Sequence, residues 1–421
     1  MSATPLPGVL SFEQARHLVE EHASRLRPLG KELLELQDGA GQVLAEPLFA
    51  DRNLPPFPRS TRDGYAVRSV DLARLPATLT VIAEIKAGSA TPAPAVGPGQ
   101  AVSIMTGAPA PEGADAVVMV EYTSREANKV EISKSVAAGE NIVPQASEAR
   151  RGDRLLSPGH CLDYAALAIA ASIGRSHLLV YRKPQVAVLS TGDEIVDIDA
   201  VPAPGQIRNS NSYSLAAQVQ AAGGEPLILP IAPDEIVRLR ELITDGLEAD
   251  LLLLTGGVSM GKYDLVEQVL AGFQAEFFFT GVQIQPGRPA VFGRIPVSLP
   301  AAQESSAARN KYVFGLPGNP VSTMVTFELF ARPLVEALAG RSPRKLIFLH
   351  ARLRSEIKTR TGLKRFLPAL LTGEFDRAEV ELLSWQGSGD IVAGARANCY
   401  IVVPEDRDRL SAGDWVPVML R

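Results

Sequence analysis

A chain of 421 residues, 46% of them hydrophobic, is long enough for about three domains with real cores and lies far from the disordered class. A net charge of −5 argues against a nucleic-acid binder, and the basic clusters, Arg150-Arg151 and Lys364-Arg365, are short enough to be solvated surface. Two cysteines, Cys161 and Cys399, lie far apart among apolar residues and are expected as small core hydrophobes, while five scattered histidines form no metal pattern.

The N-terminus has no basic start followed by an apolar run, so no signal peptide is expected. No stretch reaches the roughly 18 apolar residues of a membrane span, and a soluble cytoplasmic protein is expected. Ser11 and Gln14 form a capping-box pattern, after which Phe12, Ala15, Leu18 and Val19 share one helical face. From about residue 40 to 160, glycine and proline alternate with short Val/Ile-rich runs ("LTVIAEI", "QAVSIMTG", "ADAVVMVEYT", "KVEISKSV"), which predicts a β-rich segment. Residues 163–174 return to helix, with Asp163 as cap and Gly174 as stop.

Residues 184 to about 340 alternate strand and helix. The strands "QVAVLSTG", "EPLILP" and "ADLLLLTGG" are apolar throughout, which implies a parallel sheet covered on both faces. Ligands of such sheets sit at the carboxyl ends of the strands. An Ala/Ser-rich loop at 296–310 joins two further strands. From about residue 341 the texture is again β, and a small barrel or sandwich is expected.

Three strand-end loops carry the candidate chemistry. They hold Thr191-Gly192, Thr255-Gly256-Gly257 with Ser259, and Pro317-Gly318-Asn319-Pro320 followed by Ser322. Glycines let backbone N–H groups approach an anion, and the hydroxyls add donors, so together they suit a phosphate or another tetrahedral oxyanion. Glu194, Asp234 and Asp264 fall near the same edge, where Mg²⁺ would be bound by a few carboxylates plus phosphates. Asp234 equally suits a helix N-cap, and Pro317 to Pro320 equally suit a rigid strand-to-helix turn.

The loops TGGVSMGKYD, STGDEI and GLPGNPVS, with LPPFPRSTRDGYAV and SIMTGAPAP upstream, resemble the MoeA-type molybdopterin molybdenumtransferases, relatives of the E domain of gephyrin. The resemblance covers nearly the whole chain, with the motifs in the family's order. It implies a multidomain α/β plus β protein: an N-terminal helical and linking domain (1–45 and 146–180) and a β-rich insertion (46–145). A three-layer α/β molybdopterin-binding domain (181–340) and a C-terminal β-barrel (341–421) follow. It implies Mg²⁺-dependent insertion of molybdate into adenylated molybdopterin with release of AMP, by a cytoplasmic homodimer whose site is built from two chains. Thr191, Gly192, Thr255, Gly256, Gly257 and Ser259 would cradle phosphates. Asp264 and Asp234 would handle the metal ion or a water, and Glu194 the substrate. Pro317, Gly318, Asn319 and Pro320 would line the pocket, with Ser388 near the oxyanion. Asp63 and Thr106 would come from the facing subunit.

Several family cations are replaced: Val143 follows "GENI", Gly281 and Gln285 precede PGRP, and Pro368 follows Phe366. Arg62 stands where methionine is common before DGYA, and Glu148 replaces an aspartate. Arg288, Lys364 and Arg365 retain positive charge. These departures keep open a non-catalytic or tungstate-preferring paralogue, or a related pterin adenylyltransferase.

Overall fold

Four apolar runs organise the centre of the molecule. In the computed structural model, which describes residues 8–88, 94–257, 265–297, 309–342 and 345–421, they form parallel strands in the order Glu225–Ile228, Gln185–Ser190, Leu251–Thr255 and Arg309–Leu316. Val291–Val297 and Glu276–Phe279 extend the sheet antiparallel. The side-chain period of two distributes each run between two cores. Val186, Val188, Leu251, Leu253 and Phe314 face one side, and Ala187, Leu189, Leu252, Leu254 and Val313 the other.

Helices Asn211–Ala221 and Pro320–Thr326 cover the first face through Leu215, Val219, Val321 and Val325. Helices Ile236–Gly246 and Leu265–Gly272 cover the second through Leu239, Leu242, Ile243 and Val269. Burying each such side chain contributes roughly 1.5–3 kcal/mol. The result is a three-layer α/β domain whose parallel strands all present their carboxyl ends along one edge.

The N-terminal helix, Phe12–Arg25, starts with the capping box, Gln14 N–H to Ser11 Oγ and Ser11 N–H to Gln14 Oε1. It seats on the central domain and the barrel. Phe12, Ala15 and Val19 join the first core, with the Phe12 ring 6.3 Å from Phe330 and 5.4 Å from Phe366. After it, Lys31–Glu35 pairs antiparallel with His177–Tyr181 over a separate core of Leu44, Leu162, Ala166 and Val180. Helix Tyr164–Ser172 in that unit is capped by Asp163, which accepts from Ala165 and Ala166 N–H. It ends at Gly174, whose φ of +73° is open to glycine at no steric cost.

The β-rich segment is one six-stranded sheet, ordered Ala116–Met119, Gly64–Val67, Gln100–Ile104, Ala77–Ile85, Lys129–Ile132 and Thr123–Glu126. Ala66, Val102 and Val117 pack on one face, Tyr65, Val67 and Val118 on the other. At the C-terminus, Lys364–Thr372, Glu379–Leu382, Phe348–Leu353, Trp415–Leu420 and Cys399–Val403 pair in turn, and Cys399–Val403 returns to Lys364–Thr372. The β expectation resolves as a closed barrel, filled by Leu353, Leu367, Val380, Ile401 and Val418.

Cys399 points into that barrel, where burial pushes its thiol up to about 11. Cys161 corrects the sequence reading, because it is exposed. It bridges Val43 in an extended segment, and alternation sends its neighbour Leu162 into the core instead. Among the described residues no helix is long and apolar enough to cross a membrane.

Candidate functional site

The loops leaving Gln185–Ser190, Leu251–Thr255 and Arg309–Leu316 meet at the carboxyl edge of the sheet. Thr191 N–H donates to Thr255 C=O at 2.9 Å, and Gly192 N–H to Ala232 C=O at 3.1 Å. Gly256 has φ +90°, and a Cβ there would stand 2.3 Å from the Thr191 carbonyl oxygen. At Gly257, φ +60°, a Cβ would stand 2.7 Å from Thr191 Oγ1. Any side chain at either position would collide with the neighbouring loop, so both must be glycine. The Thr191 hydroxyl is buried beside them and has no hydrogen bond among the described residues.

A residue that sequence reasoning missed holds these loops in register. Asn211 Nδ2 donates to Thr255 Oγ1 at 2.9 Å and to Gly318 C=O at 2.7 Å. Thr255 Oγ1 passes its own hydrogen to Pro317 C=O at 3.2 Å, and Thr323 Oγ1 donates to the same carbonyl and to Asn319 C=O at 3.0 Å. A carbonyl only accepts, so the amide nitrogen must face Gly318. The Asn211 amide oxygen is then left buried without a partner among the described residues. An asparagine opening a helix reads from sequence as a cap, which is why its role was not legible.

The edge opens into a cleft of about 510 Å³. Ile195, Ile207, Pro289 and Pro320 give it apolar walls, and Gly256, Gly257, Gly318 and Asn319 line it with backbone and amide. The barrel reaches it through Gly389. Ser388 C=O accepts from Val321 N–H at 3.0 Å, so Ser388 is tied by its backbone to the helix beginning at Pro320. Asp390 holds that loop by accepting from Gln386 and Ala393 N–H, both at 3.0 Å.

The acids divide. Glu194 lines the cleft; Asp234 is not among its lining residues. Asp234 does not cap the helix either. That helix starts after Glu235 with no side-chain cap, and Asp234 N–H donates to Asp193 Oδ1 at 3.0 Å. Burial, and then repulsion from Asp193 and Glu194, holds the Asp234 carboxyl above the usual carboxylate range. Among the described residues no group of three or more His, Cys, Asp or Glu is arranged to hold a metal ion. Ser259 and Asp264 lie outside the described residues, as does 298–308 of the Ala/Ser-rich loop.

Asp63 and Thr106 come together, 43 residues apart in sequence. Asp63 Oδ1 accepts from Thr106 N–H at 2.6 Å and from its hydroxyl at 2.7 Å, and these bonds hold its carboxyl below the usual range. Both residues are exposed, and neither lines the cleft of its own chain.

Two of the three cations left beside the replaced positions are engaged elsewhere, while Arg288 is exposed. Lys364 pairs with Glu13 and, at 3.4 Å, with Glu405. Arg365 is buried and donates its Nε to Gln285 Oε1 at 2.9 Å. Glu148 accepts from Arg59 at 3.1 Å. Arg208, also unremarked in the sequence, is the one cation lining the cleft among the described residues.

Comparison with known proteins places these observations. Residues 10–174 match the family model described as MoeA N-terminal region (domain I and II), residues 187–337 that described as probable molybdopterin binding domain, and residues 350–420 that described as MoeA C-terminal region (domain IV). The chain is 36% identical over 400 residues to a molybdopterin molybdenumtransferase of Nostoc sp., covering 92% of this chain and 88% of that one. It is 32% identical over 415 residues to the molybdopterin molybdenumtransferase of Haemophilus influenzae, covering 97% and 98%. A crystal structure of the molybdopterin biosynthesis moeA protein from Pyrococcus horikoshii superposes with a TM-score of 0.77 at 28% identity, covering 98% of this chain and all 100% of that one.

Proposed function

The chain belongs to the MoeA family, and from that premise we propose that it inserts molybdate into adenylated molybdopterin and releases AMP. The observation that carries this reading is the glycine cradle at Gly256 and Gly257, held open to the cleft by the Asn211 clamp on Thr255 and Gly318. Backbone N–H groups fixed in this way stabilise phosphate charge without reorganising during the reaction. Thr191 supplies a hydroxyl beside them that has no partner among the described residues. The apolar walls suit a flat heterocycle, and Asn319, Pro320 and the Ser388 loop close the barrel side.

In the reaction water adds to the phosphoanhydride phosphorus as the bond joining the pterin phosphate to AMP breaks and AMP departs, while two Mo–S bonds to the dithiolene replace two Mo–O bonds of molybdate, whose oxygens leave as water with protons from the thiols and solvent. Bound Mg²⁺ would neutralise phosphate charge. The repulsion among Asp193, Glu194 and Asp234 fits a nearby cation, and Mg²⁺ needs only one or two carboxylates besides phosphate and water. We assign that role to Asp234 with Asp264, and substrate contact to Glu194. Asp63 and Thr106, remote from the cleft of their own chain, serve the cleft of a second copy in a homodimer. The working compartment is the cytoplasm.

The test is AMP release from adenylated molybdopterin with Mg²⁺, with and without molybdate. Molybdate-stimulated release that Asp264→Asn abolishes is expected. Bound pterin without release would overturn the transferase reading.

A further inference from the structure

We propose that Arg208 is the oxyanion-binding cation of the cleft, gripping a tetrahedral anion, either a phosphate of the adenylated pterin or molybdate itself. The inference rests on the reading of the cleft as the substrate site.

The backbone of Arg208 is fixed on both sides. Ile207 and Arg208 pair in parallel with Ile195 and Val196, Asn209 N–H donates to Val196 C=O at 2.9 Å, and buried Asn209 bonds Ser190 and Ser212. The side chain is fixed as well. Its Nε donates to Ala200 C=O at 3.0 Å. That bond uses the inner edge of the guanidinium and leaves the outer pair of nitrogens as a two-pronged donor, the shape that matches a phosphate or similar oxyanion.

Among the described residues no carboxylate stands within ion-pair distance of Arg208, although Glu194 lines the same cleft. Two of the cations that remain beside the replaced family positions are engaged away from the cleft. Lys364 is held by Glu13 and Glu405, and Arg365 is buried against Gln285. Among the described residues the other donors that line the cleft are neutral, so Arg208 is the one cation lining it.

The experiment is calorimetric titration of the full-length protein with AMP, adenosine and molybdate, for the natural chain, Arg208→Gln and Arg208→Lys. Arg208 is exposed, and the glutamine variant is expected to fold normally, which circular dichroism verifies. Loss of a charge-assisted two-point contact is expected to weaken binding roughly tenfold or more. Weakened AMP with unmoved adenosine assigns the contact to phosphate, and weakened molybdate assigns it to the metal oxyanion. Arg208→Lys is expected to restore part of the loss. Unchanged affinity of Arg208→Gln for both anions would overturn the inference, as would a natural chain that binds neither. AMP release is scored separately. A chain that binds AMP through Arg208 yet never releases it from the adenylated pterin leaves this inference standing while the proposed function falls.

Discussion

Asn211 and Gly318 stand 107 residues apart in the chain and are joined by a 2.7 Å hydrogen bond from the Asn211 amide nitrogen to the Gly318 carbonyl. The same nitrogen reaches Thr255, so one side chain ties together two strand-end loops. Removing it with Asn211→Ala takes the donor from one buried acceptor, Thr255 Oγ1, and one partly buried one, the Gly318 carbonyl, and is expected to cost about 1–2 kcal/mol of stability. Asn211→Asp is expected to cost more, because it turns a carboxylate oxygen toward a carbonyl. Urea unfolding of both variants measures the difference, and an aspartate variant as stable as the natural chain would rule the clamp out.

The glycines of the cleft are not equivalent. Gly256→Ala would drive a methyl group to 2.3 Å from the Thr191 carbonyl in a left-handed backbone, whereas at Gly318 the nearest atom to a new Cβ is 3.5 Å away. Gly256→Ala is therefore expected to unfold the loop or lower the melting temperature by several degrees, while Gly318→Ala keeps its stability. Thermal melts of the two proteins side by side decide it. Equal melting temperatures would mean that the loop relaxes around the methyl group.

Asp63 with Thr106, and Glu194 with the cleft, occupy different regions of one chain. If two copies complete each site, Asp63→Asn and Glu194→Gln are each expected to abolish AMP release. Mixed after reversible dissociation, they are expected to recover about a quarter of natural activity, because half of the random dimers are hybrid and each hybrid has one intact site. No recovery from a mixture shown to contain hybrids would place both groups in the same chain's site.

His22 sets a pH dependence. It lies buried on the N-terminal helix, Nδ1 3.1 Å from the Tyr312 hydroxyl and its ring 4.0 Å from that of Phe278. Burial, with Arg25 and Arg294 nearby, holds its pKa below the ordinary 6.5, against a smaller opposing pull from Glu21 and Glu276. The folded protein thus binds fewer protons here than the unfolded one. Its contribution is complete above pH 6.5 and is lost as pH falls below that value through the folded pKa. Unfolding free energies between about pH 7 and 5 are expected to decline for the natural chain and to stay flatter for His22→Gln. Parallel curves would assign the decline to other groups.

Much of the fold was legible because single runs carry both period and boundary. "LLLLT" is buried on both faces, which only a covered central strand requires, and Ser11 with Gln14, Asp163 and Pro320 mark helix starts that the structure reproduces. The loops of the cleft were legible for a similar reason, since glycine after an apolar strand announces backbone use. Asn211 and Arg208 were not, because their roles depend on partners far along the chain. Asn211 is a helix-starting residue until Gly318 is placed against it, and Arg208 is one arginine among many until the fold sets it in the cleft. The exposure of Cys161 was missed because two apolar neighbours say nothing about which way an extended residue turns.

The seat of the N-terminal helix bears on how the chain is made. Phe12 packs against Phe330 and Phe366, so this helix finds its resting place only after more than 300 further residues have been synthesised. Until those residues emerge its apolar stripe lacks its native neighbours, and the helix is secured long after it is made. Closing so long a loop is slow. A truncated nascent chain that stops before Phe330 therefore exposes this stripe, which makes the helix a natural point for chaperone attention and a ready indicator, through protease sensitivity at its first turn, of whether the central domain has been made.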